Sequence, residues 1–311
     1  MIRHLLEPFD FTLEETERVL TVASHIQQNP TLYQDVAKRK RLATLFYEAS
    51  TRTRLSHETA MQKLGGDVIG FPSANVSSVS KGETVEDTTR VINCYADIIA
   101  MRHPTAGAPM TAAKYSSVPI INAGDGGNEH PTQTLLDMYT IRNRLGRGDN
   151  FTIGFCGDLK FGRTVHSLTK SLTRYPNIKF YFISPEELKM PKNLLHDDMD
   201  YTETDSLESV IGELDILYMT RIQQERFASQ EEYQKFKGVY ILDGEKMKLA
   251  KKEMAVLHPL PRVDEITPEV DDDPRAAYFE QIYSGLYVRM ALIMALLGIK
   301  DPMTDTYILN Q

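Results

Sequence analysis

The stretch from Ser50 to Arg54 is the part of the sequence whose residue types and spacing point most directly to chemistry. Three hydroxyls and two guanidinium groups stand within five consecutive residues: Ser50, Thr51, Arg52, Thr53 and Arg54. A predicted strand precedes the stretch and a predicted helix follows it, so these groups lie at a helix N-terminus. Cations there oppose the helix dipole by roughly 0.3–1 kcal/mol each, and a bound anion removes the conflict. The stretch therefore predicts a site for a phosphate-sized anion, in preference to a plain capped turn whose arginines bend into solvent.

Other cationic side chains are also predicted at the ends of strands. The clusters that follow a predicted strand contain Arg102, Arg163, Arg221 and the segment 258–262. Open α/β sheets bind ligands beyond the carboxyl ends of their strands. These positions therefore predict a cleft lined by arginine and suited to anionic substrates.

The elements that must position these groups alternate between strands and helices. The predicted strands are Leu42–Tyr47, Val68–Phe71, Ile98–Met101, Val118–Ile121, Phe151–Cys156, Lys179–Ile183, Ile216–Met219, Val239–Leu242 and Ala255–Leu257. The amphipathic stretches between them include Ser56–Leu64, Thr84–Tyr95, Thr132–Leu145 and Thr164–Arg174. Such alternation predicts the α/β class, with two doubly wound parallel-sheet domains joined by helices and a substrate cleft between them.

Length and composition narrow the class of protein further. The 311 residues suggest two domains of ~150 residues each, and the glycine-containing segment Arg144–Asn150 is the predicted break between them. A net charge of −8 argues against a general nucleic-acid binder. The two cysteines, Cys94 and Cys156, favour a reducing compartment. The N-terminus lacks a signal-peptide core, and the apolar stretch Leu286–Ile299, interrupted by Arg289, is shorter than a membrane span. We therefore expect a cytoplasmic protein whose last apolar stretch forms a C-terminal core helix.

Several motifs of the chain resemble those of the transcarbamoylase family. The first, Ser50 to Arg54, matches the S-T-R-T-R signature of the family. The others are Lys81-Gly82-Glu83-Thr84, Met101-Arg102-His103-Pro104, Asn122-Ala123-Gly124-Asp125-Gly126, His130-Pro131-Thr132-Gln133-Thr134-Leu135-Leu136-Asp137, Gly162-Arg163-Thr164-Val165-His166-Ser167 and His258-Pro259-Leu260-Pro261-Arg262. Their order and spacing cover nearly the whole chain and resemble the branch of the family that acts on aspartate. The resemblance implies a carbamoyl-phosphate-binding domain over 1–143, an aspartate-binding domain over 144–284 and a C-terminal helix, 285–311, that returns to the first domain.

The resemblance also implies which residues bind carbamoyl phosphate. They are Ser50, Thr51, Arg52, Thr53, Arg102, His130, Gln133, Leu260 and Pro261. Arg52, Thr53, Arg102 and His130 are the implied catalytic residues. The last three of these face the carbonyl oxygen that becomes negative, where a preorganised donor is typically worth ~3–4 kcal/mol. The side chain of Gln133 and the main-chain carbonyls of Leu260 and Pro261 are implied to contact the carbamoyl amide.

A second set of residues is implied to bind aspartate. It consists of Lys81, Arg163, Arg221 and Gln223, and arginine is the bidentate partner of a carboxylate. The loop that carries Lys81 is implied to reach into a neighbouring subunit, so a homotrimer with shared active sites is expected and regulatory chains are candidate partners. Glu48 is implied to pair with arginines of the second domain, and local charge balance is an equal alternative. No nucleic-acid or membrane partner is expected.

The implied reaction is attack by the α-amino group of L-aspartate on carbamoyl phosphate, a step of de novo pyrimidine biosynthesis. No metal and no cofactor is expected, because the histidines and cysteines lack metal-ligand spacing and the glycines do not form a dinucleotide fingerprint. Ornithine carbamoyltransferase activity remains an alternative. That branch of the family usually has His-Cys-Leu-Pro where this chain has His258-Pro259-Leu260-Pro261, which favours aspartate. Two further alternatives are a nucleotide hydrolase, suggested by the loop 157–164 although it lacks the required lysine, and a phosphate-binding scaffold without turnover.

Overall fold

The chain folds into two compact units, each built on one parallel β-sheet. The computed structural model describes residues 2–227 and 229–310. Unit 1 contains Met1–Tyr139 and Ile282–Gln311, and unit 2 contains Thr140–Gln281. All strand pairs of both sheets within the described ranges are parallel. The predicted α/β class with two parallel-sheet domains is therefore confirmed.

Unit 1 contains a four-stranded sheet in the order β2-β1-β3-β4 within the described residues. Its elements are α1 (Leu13–Gln28), β1 (Arg41–Phe46), α2 (Thr51–Lys63), β2 (Asp67–Phe71), α3 (Val85–Ile92), β3 (Ile98–His103), α4 (Ala108–Tyr115), β4 (Ile120–Asp125) and the start of α5 (Pro131–Leu145). The strand order reverses between β1 and β3, and ligand sites of open α/β sheets lie at such switch points. The turn after β1 and the end of β3 carry Ser50–Arg54 and Arg102.

A continuous apolar core fixes the ends of β1 and β3. Side chains of both strands, including Leu45 and Met101, are fully buried, which stabilises the fold by ~1.5–3 kcal/mol for each large apolar side chain. In the parallel register of these strands, Phe46 lies beside Arg102. Strand β3 continues to His103, beyond the predicted strand end at Met101, and therefore includes Arg102. Arg102 is therefore held by the sheet and not by a loop.

Unit 2 contains a five-stranded sheet in the order β7-β6-β5-β8-β9 within the described residues. Its elements after α5 are β5 (Thr152–Cys156), α6 (Arg163–Leu172), β6 (Lys179–Ile183), β7 (Asp200–Thr204), β8 (Ile216–Met219), α7 (Gln230–Gln234), α8 (Gly244–Leu249), β9 (Ala255–Leu257) and the start of α9 (Glu280–Leu296). The strand order reverses between β5 and β8, which pair directly. The segments after these two strands carry Arg163 and Arg221, so the switch-point rule again brings predicted site residues together.

Two strand assignments from the sequence were wrong. The predicted strand Val239–Leu242 is not a strand: Leu242 makes one isolated bridge to Ile266, and β9 occupies the place beside β8. The strand Asp200–Thr204 was missed, because it is a largely exposed edge strand of mostly polar residues. Its backbone pairing with β6 leaves no apolar signal in the sequence.

Helix α9 covers the predicted C-terminal core helix as far as Leu296 and begins six residues earlier, at Glu280. Its apolar side chains from Val288 to Leu296 are buried, and Arg289, in the same turn, is only 4% exposed. No helix in the described ranges has the length and apolarity needed to cross a membrane.

Candidate active site

The turn between β1 and α2 has the features of an anion site. Ser50 occupies the N-cap position of α2 in an extended conformation, but its side chain makes no capping hydrogen bond to any described residue. The first turn of α2 contains no acidic side chain, in contrast to α1, where Thr12 and Glu15 form a capping box. The main-chain N–H groups that open α2 therefore have no side-chain cap in the described chain, which favours binding of an anion there.

Two guanidinium groups lie close to each other beside this turn. Partial burial lowers the pKa of Arg52, whose surface remains largely open to solvent, and the positive charge of Arg102 lowers this pKa further. Arg54 is directed along the helix instead, with its Nε 3.7 Å from Glu58 Oε1. Like charges near each other at a helix N-terminus are unfavourable without a counter-ion. The arrangement therefore favours binding of an anion by the main-chain N–H groups of α2 and the guanidinium groups of Arg52 and Arg102.

Arg102 has a buried hydrogen-bond donor that is not used within the described chain. Its side chain is 12% exposed, and its Nη2 lies 3.2 Å from Glu48 Oε2. Its Nε is buried and has no acceptor among the described residues. Burial lowers the pKa of Arg102, and Glu48 acts against this shift. Glu48 thus balances charge locally in unit 1, and a buried donor of Arg102 remains for an acceptor on a ligand.

Thr53 is positioned by a buried histidine. Thr53 is 8% exposed, and its carbonyl accepts a hydrogen bond from Nδ1 of His57, at 2.8 Å. Burial, together with the positive charge of Arg289, lowers the pKa of His57 to about 3. His57 is therefore neutral at physiological pH and fixes the first turn of α2 without adding charge.

Replacement of His57 by asparagine is expected to weaken the pH dependence of stability between pH 6.5 and about 3. The unfolded state takes up a proton on His57 below its ordinary pKa of 6.5, whereas the folded state takes it up only near 3. The folded state therefore loses stability as the pH falls through this window. Asparagine does not titrate and keeps an N–H for the Thr53 carbonyl. Thermal unfolding midpoints of both proteins across this window measure the effect, and parallel curves would contradict the assignment.

His130 immediately precedes α5, as the sequence predicted, and Pro131 is the first residue of the helix. The side chain of His130 is 4% exposed, and its main-chain carbonyl accepts hydrogen bonds from the N–H groups of Gln133 and Thr134. The amide Nε2 of Gln133 donates to Asp137 Oδ1 at 2.9 Å. This contact orients the Gln133 amide along the first turn of α5.

The glycine-rich turn before His130 is organised by Asp125, which sequence reasoning quoted only as part of a motif. Asp125 is 1% exposed and accepts hydrogen bonds from the side chains of Asn122 and Asn128 and from the main-chain N–H groups of Gly107 and Glu129. A carboxylate at the end of a strand and directly before two glycines is a signal for such a turn. Asp125 therefore fixes the path of the chain from β4 to His130.

Lys81 lies at the end of a short 3₁₀ segment, Ser78–Lys81, and is exposed. No hydrogen bond or ion pair of its amine is found with the described residues. The segment is held by Ser77, whose hydroxyl donates to Ala74 and accepts from Val79 N–H. Unit 1 thus presents the Lys81 amine to solvent on a short, locally organised loop.

In unit 2, Asp158 joins the two segments that carry the predicted aspartate-binding arginines. Asp158 is fully buried, with Oδ1 accepting from Phe161 N–H at 3.0 Å and Oδ2 from Gln223 N–H at 3.2 Å. Burial raises the pKa of Asp158, and these N–H donors and Arg221 act against the shift. Arg163 begins α6 directly after the first segment, and Arg221 and Gln223 lie in the second. The structure thus brings Arg163, Arg221 and Gln223 to one edge of the unit 2 sheet.

This role of Asp158 also explains why the loop 157–164 is not a nucleotide phosphate loop. The main-chain N–H of Phe161 donates to Asp158, whereas a phosphate loop keeps its N–H groups for the nucleotide. Sequence reasoning missed Asp158, although an acidic residue inside an apparent phosphate-binding loop was a signal against that function.

The segment that carries Leu260 and Pro261 is held by a buried His258–Glu265 pair. His258 Nδ1 accepts from Leu260 N–H at 2.8 Å, and His258 Nε2 lies 2.6 Å from Glu265 Oε1. Burial lowers the pKa of His258 against the influence of Glu265, so His258 is neutral and donates from Nε2. Glu265 also accepts from the N–H groups of Val263 and Asp264. Sequence reasoning missed Glu265, because no local pattern links it to His258.

No set of His, Cys, Asp and Glu side chains in the described ranges is grouped to hold a metal ion. The two switch points are instead lined by guanidinium groups, hydroxyls, amides and main-chain N–H groups. Such donors bind and polarise anionic and carbonyl-containing molecules. Fold and site together define an α/β group-transfer enzyme that acts on a phosphorylated substrate.

Comparisons with sequence families agree with this class. The profile described as the carbamoyl-P binding domain of aspartate/ornithine carbamoyltransferase matches residues 3–143, and the profile of the Asp/Orn binding domain matches residues 149–296. The chain therefore belongs to the aspartate/ornithine carbamoyltransferase family.

Individual relatives agree on one branch of this family. The aspartate carbamoyltransferase catalytic subunit of Clostridium botulinum strain Langeland is 59% identical over 303 residues, which cover 96% of this chain and 99% of that protein. The catalytic subunit of M. jannaschii aspartate transcarbamoylase has a TM-score of 0.88 and 49% identity over 95% of this chain and 98% of its own. Aspartate transcarbamoylase from Trypanosoma cruzi in complex with N-(phosphonacetyl)-L-aspartic acid has a TM-score of 0.88 and 39% identity, with 94% of each chain covered. The predicted resemblance to the aspartate branch is confirmed, and the ornithine alternative is not supported.

Proposed function

We propose that this chain transfers the carbamoyl group of carbamoyl phosphate to the α-amino group of L-aspartate, giving N-carbamoyl-L-aspartate and phosphate. The observation that carries this proposal is the pair of guanidinium groups of Arg52 and Arg102 beside the uncapped start of α2, with the buried Nε of Arg102 lacking an acceptor in the described chain. A phosphate group and an adjacent carbonyl oxygen supply the acceptors that these donors lack.

In the proposed mechanism, unit 1 supplies most of the contacts to carbamoyl phosphate and stabilises the charge that develops on it, and unit 2 supplies Leu260 and Pro261. Ser50, Thr51, Arg52 and Thr53 bind the phosphate. Thr53, Arg102 and His130 donate to the carbonyl oxygen. Gln133 and the main-chain carbonyls of Leu260 and Pro261 contact the amide.

The bond changes require no covalent enzyme intermediate. The lone pair of the aspartate nitrogen attacks the carbonyl carbon, and the π electrons move to the oxygen, which becomes an oxyanion. The tetrahedral intermediate collapses, the C–O bond to phosphate breaks, and the departing phosphate takes the proton of the amine. Catalysis then consists of positioning and of charge stabilisation by fixed donors.

The two carboxylates of aspartate are assigned to unit 2 and to the Lys81 loop. Arg163, Arg221 and Gln223 lie on the segments that Asp158 joins, so their spacing is set by one buried carboxylate. Arginine matches a carboxylate with two parallel hydrogen bonds, which favours aspartate over a substrate with a cationic side chain.

Formation of N-carbamoyl-L-aspartate from carbamoyl phosphate tests this function. We expect product and stoichiometric phosphate with L-aspartate, no carbamoylated product with L-ornithine, and loss of activity in Arg52→Ala. Arg90→Ala is the matched control, because Arg90 is an exposed arginine that pairs with Asp87 on α3. Phosphate release without a carbamoylated product would overturn the proposal.

We also propose that the active protein is a homotrimer in which Lys81 serves the site of a neighbouring subunit. The exposed loop that presents Lys81 supports this proposal, as does the family resemblance. Regulatory chains are further candidate partners. The free thiols of Cys94 and Cys156 are consistent with the cytoplasmic location proposed for the protein.

Mixing two weakened variants is expected to restore part of the activity. Arg52→Ala removes the phosphate contact of a subunit's own site, and Lys81→Ala removes the residue that the subunit lends to its neighbour. In a mixed trimer, at least one site combines an intact Arg52 with an intact Lys81. Dissociation and reassociation of the two variants, followed by the carbamoylation assay, measures the recovery. Mixed trimers that stay as inactive as their parents would refute the sharing of Lys81.

A further inference from the structure

The main-chain carbonyls of Leu260 and Pro261 are hydrogen-bond acceptors that the fold leaves unused. No hydrogen bond to either oxygen is found in the described chain. Leu260 is partly buried and Pro261 is exposed, so the segment reaches the surface of unit 2. Pro261 has no N–H and adds no donor between the two oxygens. The segment therefore presents two acceptors whose direction depends on how the main chain is held.

The N–H groups on both sides of these carbonyls are held by one buried pair of side chains. Leu260 N–H donates to His258 Nδ1 at 2.8 Å. The N–H groups of Val263 and Asp264 both donate to Glu265 Oε2 at 3.1 Å. His258 Nε2 lies 2.6 Å from Glu265 Oε1, and the two residues are only 1% and 4% exposed. The pair thus closes the segment into a hydrogen-bonded loop.

The backbone of Leu260 depends on this loop. Its φ of +53° lies in the left-handed region, which a leucine rarely adopts. The hydrogen bond from its N–H to His258 stabilises this conformation. Without the acceptor on His258, the chain can return to an extended conformation, and the carbonyls of Leu260 and Pro261 then point elsewhere.

The main-chain donors also determine where the proton of the pair lies. A main-chain N–H can only donate, so His258 Nδ1, which accepts from Leu260, carries no proton. The imidazole proton is therefore on Nε2 and is donated to Glu265 Oε1. Burial acts against the charge of Glu265, but the hydrogen bond from His258 and the main-chain N–H groups keep the pKa of Glu265 below its usual range. The pair is a neutral imidazole that donates to a carboxylate.

We propose that His258 and Glu265 are positioning residues that direct the carbonyls of Leu260 and Pro261 towards the NH2 group of the substrate, and so determine the preference for a carbamoyl group. This inference rests on the proposed function, which assigns the amide of carbamoyl phosphate to these two carbonyls. Acetyl phosphate has the same phosphate and carbonyl but a methyl group in place of NH2. It cannot donate to the two oxygens, so a site that fixes them discriminates against it.

Binding of carbamoyl phosphate and of acetyl phosphate, measured by calorimetry without aspartate, tests this preference. We expect the wild type to bind carbamoyl phosphate more tightly. His258→Leu removes the acceptor of Leu260 N–H, and we expect the Kd of carbamoyl phosphate to rise about tenfold and that of acetyl phosphate to change less than about twofold, since two modest hydrogen bonds are lost. His258→Asn is the matched control, because the side-chain oxygen of asparagine accepts from the N–H two residues further on. It is expected to keep most of the preference.

Glu265→Gln tests the second member of the pair. In either orientation of the new amide, its NH2 group faces a donor, which is the His258 Nε2–H or the N–H groups of Val263 and Asp264. We therefore expect this variant also to weaken carbamoyl phosphate selectively, and it decides the question if His258→Leu does not fold.

The ¹⁵N chemical shifts of histidine-labelled protein give a readout of the pair that needs no ligand. The signals of His258 are identified by their loss in His258→Asn. We expect an unprotonated Nδ1 and a protonated Nε2 in the wild type. A His258 that is protonated on Nδ1 would contradict the hydrogen bond from Leu260 and overturn the inference.

The binding results separate positioning from a merely structural role. The inference is wrong if the wild type binds the two acyl phosphates equally, if folded His258→Leu keeps the wild-type preference, or if it weakens both ligands to the same extent. A wild type that prefers carbamoyl phosphate but forms no carbamoyl-aspartate would instead refute the proposed function and leave the role of His258 and Glu265 intact. The binding and transfer assays therefore fail independently.

Discussion

Arg102→Met is expected to lower kcat by ~10²–10³-fold, which is the usual loss for one oxyanion donor. Arg102 is the residue of unit 1 that combines a fixed position in the sheet, a buried side chain and a buried Nε without an acceptor in the described chain. Methionine has a similar length and fills the same apolar space, but it cannot donate. The loss should appear mainly in kcat, since the carbonyl oxygen gains its charge in the transition state.

The Arg102→Met variant is expected to remain folded, because Glu48, which loses its ion pair, has a partly exposed side chain. The side chain of Glu48 is 44% exposed, although its Oε2, which faces Arg102, is buried, so a small turn of the side chain brings the carboxylate into water. Removing the buried charge of Arg102 also removes a desolvation cost. Steady-state kinetics and the thermal unfolding midpoint, measured on Arg102→Met and on Arg90→Met, separate catalysis from stability. A loss below tenfold in the folded Arg102 variant would exclude it as an oxyanion donor.

Gly157→Ala is expected to destabilise unit 2 by about 3 kcal/mol and to raise the KM of aspartate. Gly157 directly follows β5 and has a φ of +125°, a conformation that residues with a side chain rarely adopt. A Cβ there would lie 2.3 Å from the main-chain oxygen of Thr220, which is part of the segment after β8. The methyl group can only be accommodated if the segments after β5 and β8 move apart. Arg163 and Arg221 lie on these segments, so both stability and aspartate binding should decline.

Gly148→Ala is the matched control for this change. Its nearest new neighbour would be the Tyr175 ring at 3.8 Å, which is an ordinary van der Waals contact. We expect its unfolding free energy to stay within about 0.5 kcal/mol of the wild type. Chemical denaturation and the KM of aspartate for both variants measure the effect. A Gly157 variant as stable as the Gly148 variant would show that the segments after β5 and β8 are not tightly joined.

The two units differ in how their charged side chains are arranged, although in both units these side chains lie near the point where the strand order reverses. In unit 1, Arg52 and Arg102 lie close to each other without a full set of counter-charges, as expected for a site that receives a highly charged group. In unit 2, Asp158 is fully buried and is held by main-chain N–H groups, so it acts on the positions of its neighbours. This contrast fits a division in which unit 1 carries the charge stabilisation and unit 2 the recognition of the second substrate.

The fold class and the position of the proposed anion site follow from local features of the sequence. Parallel strands buried on both faces give short apolar runs, and the helices between them give amphipathic runs, so local composition is sufficient to recognise them. The Ser50–Arg54 stretch and His130 before Pro131 are also local patterns, and both lie at helix starts in the structure. The polar edge strand β7 was missed because its local pattern is weak. The segment Val239–Leu242 has a strong strand pattern, but it makes only an isolated bridge, at Leu242, within the described residues.

The side chains that position the proposed site residues are recognised from long-range contacts of the folded chain. Asp158 contacts Gln223 across 65 positions of the chain, and Arg289 contacts Thr132 across 157. No periodicity or motif encodes such pairs, because they depend on which strands become neighbours and on how far a side chain is removed from water. The charge of Arg289 within an apolar run is visible in the sequence. Its contact with the buried hydroxyl of Thr132 is visible only in the folded chain. The physical reason is that hydrogen bonds and charges acquire their strength from burial, and burial is a property of the folded chain.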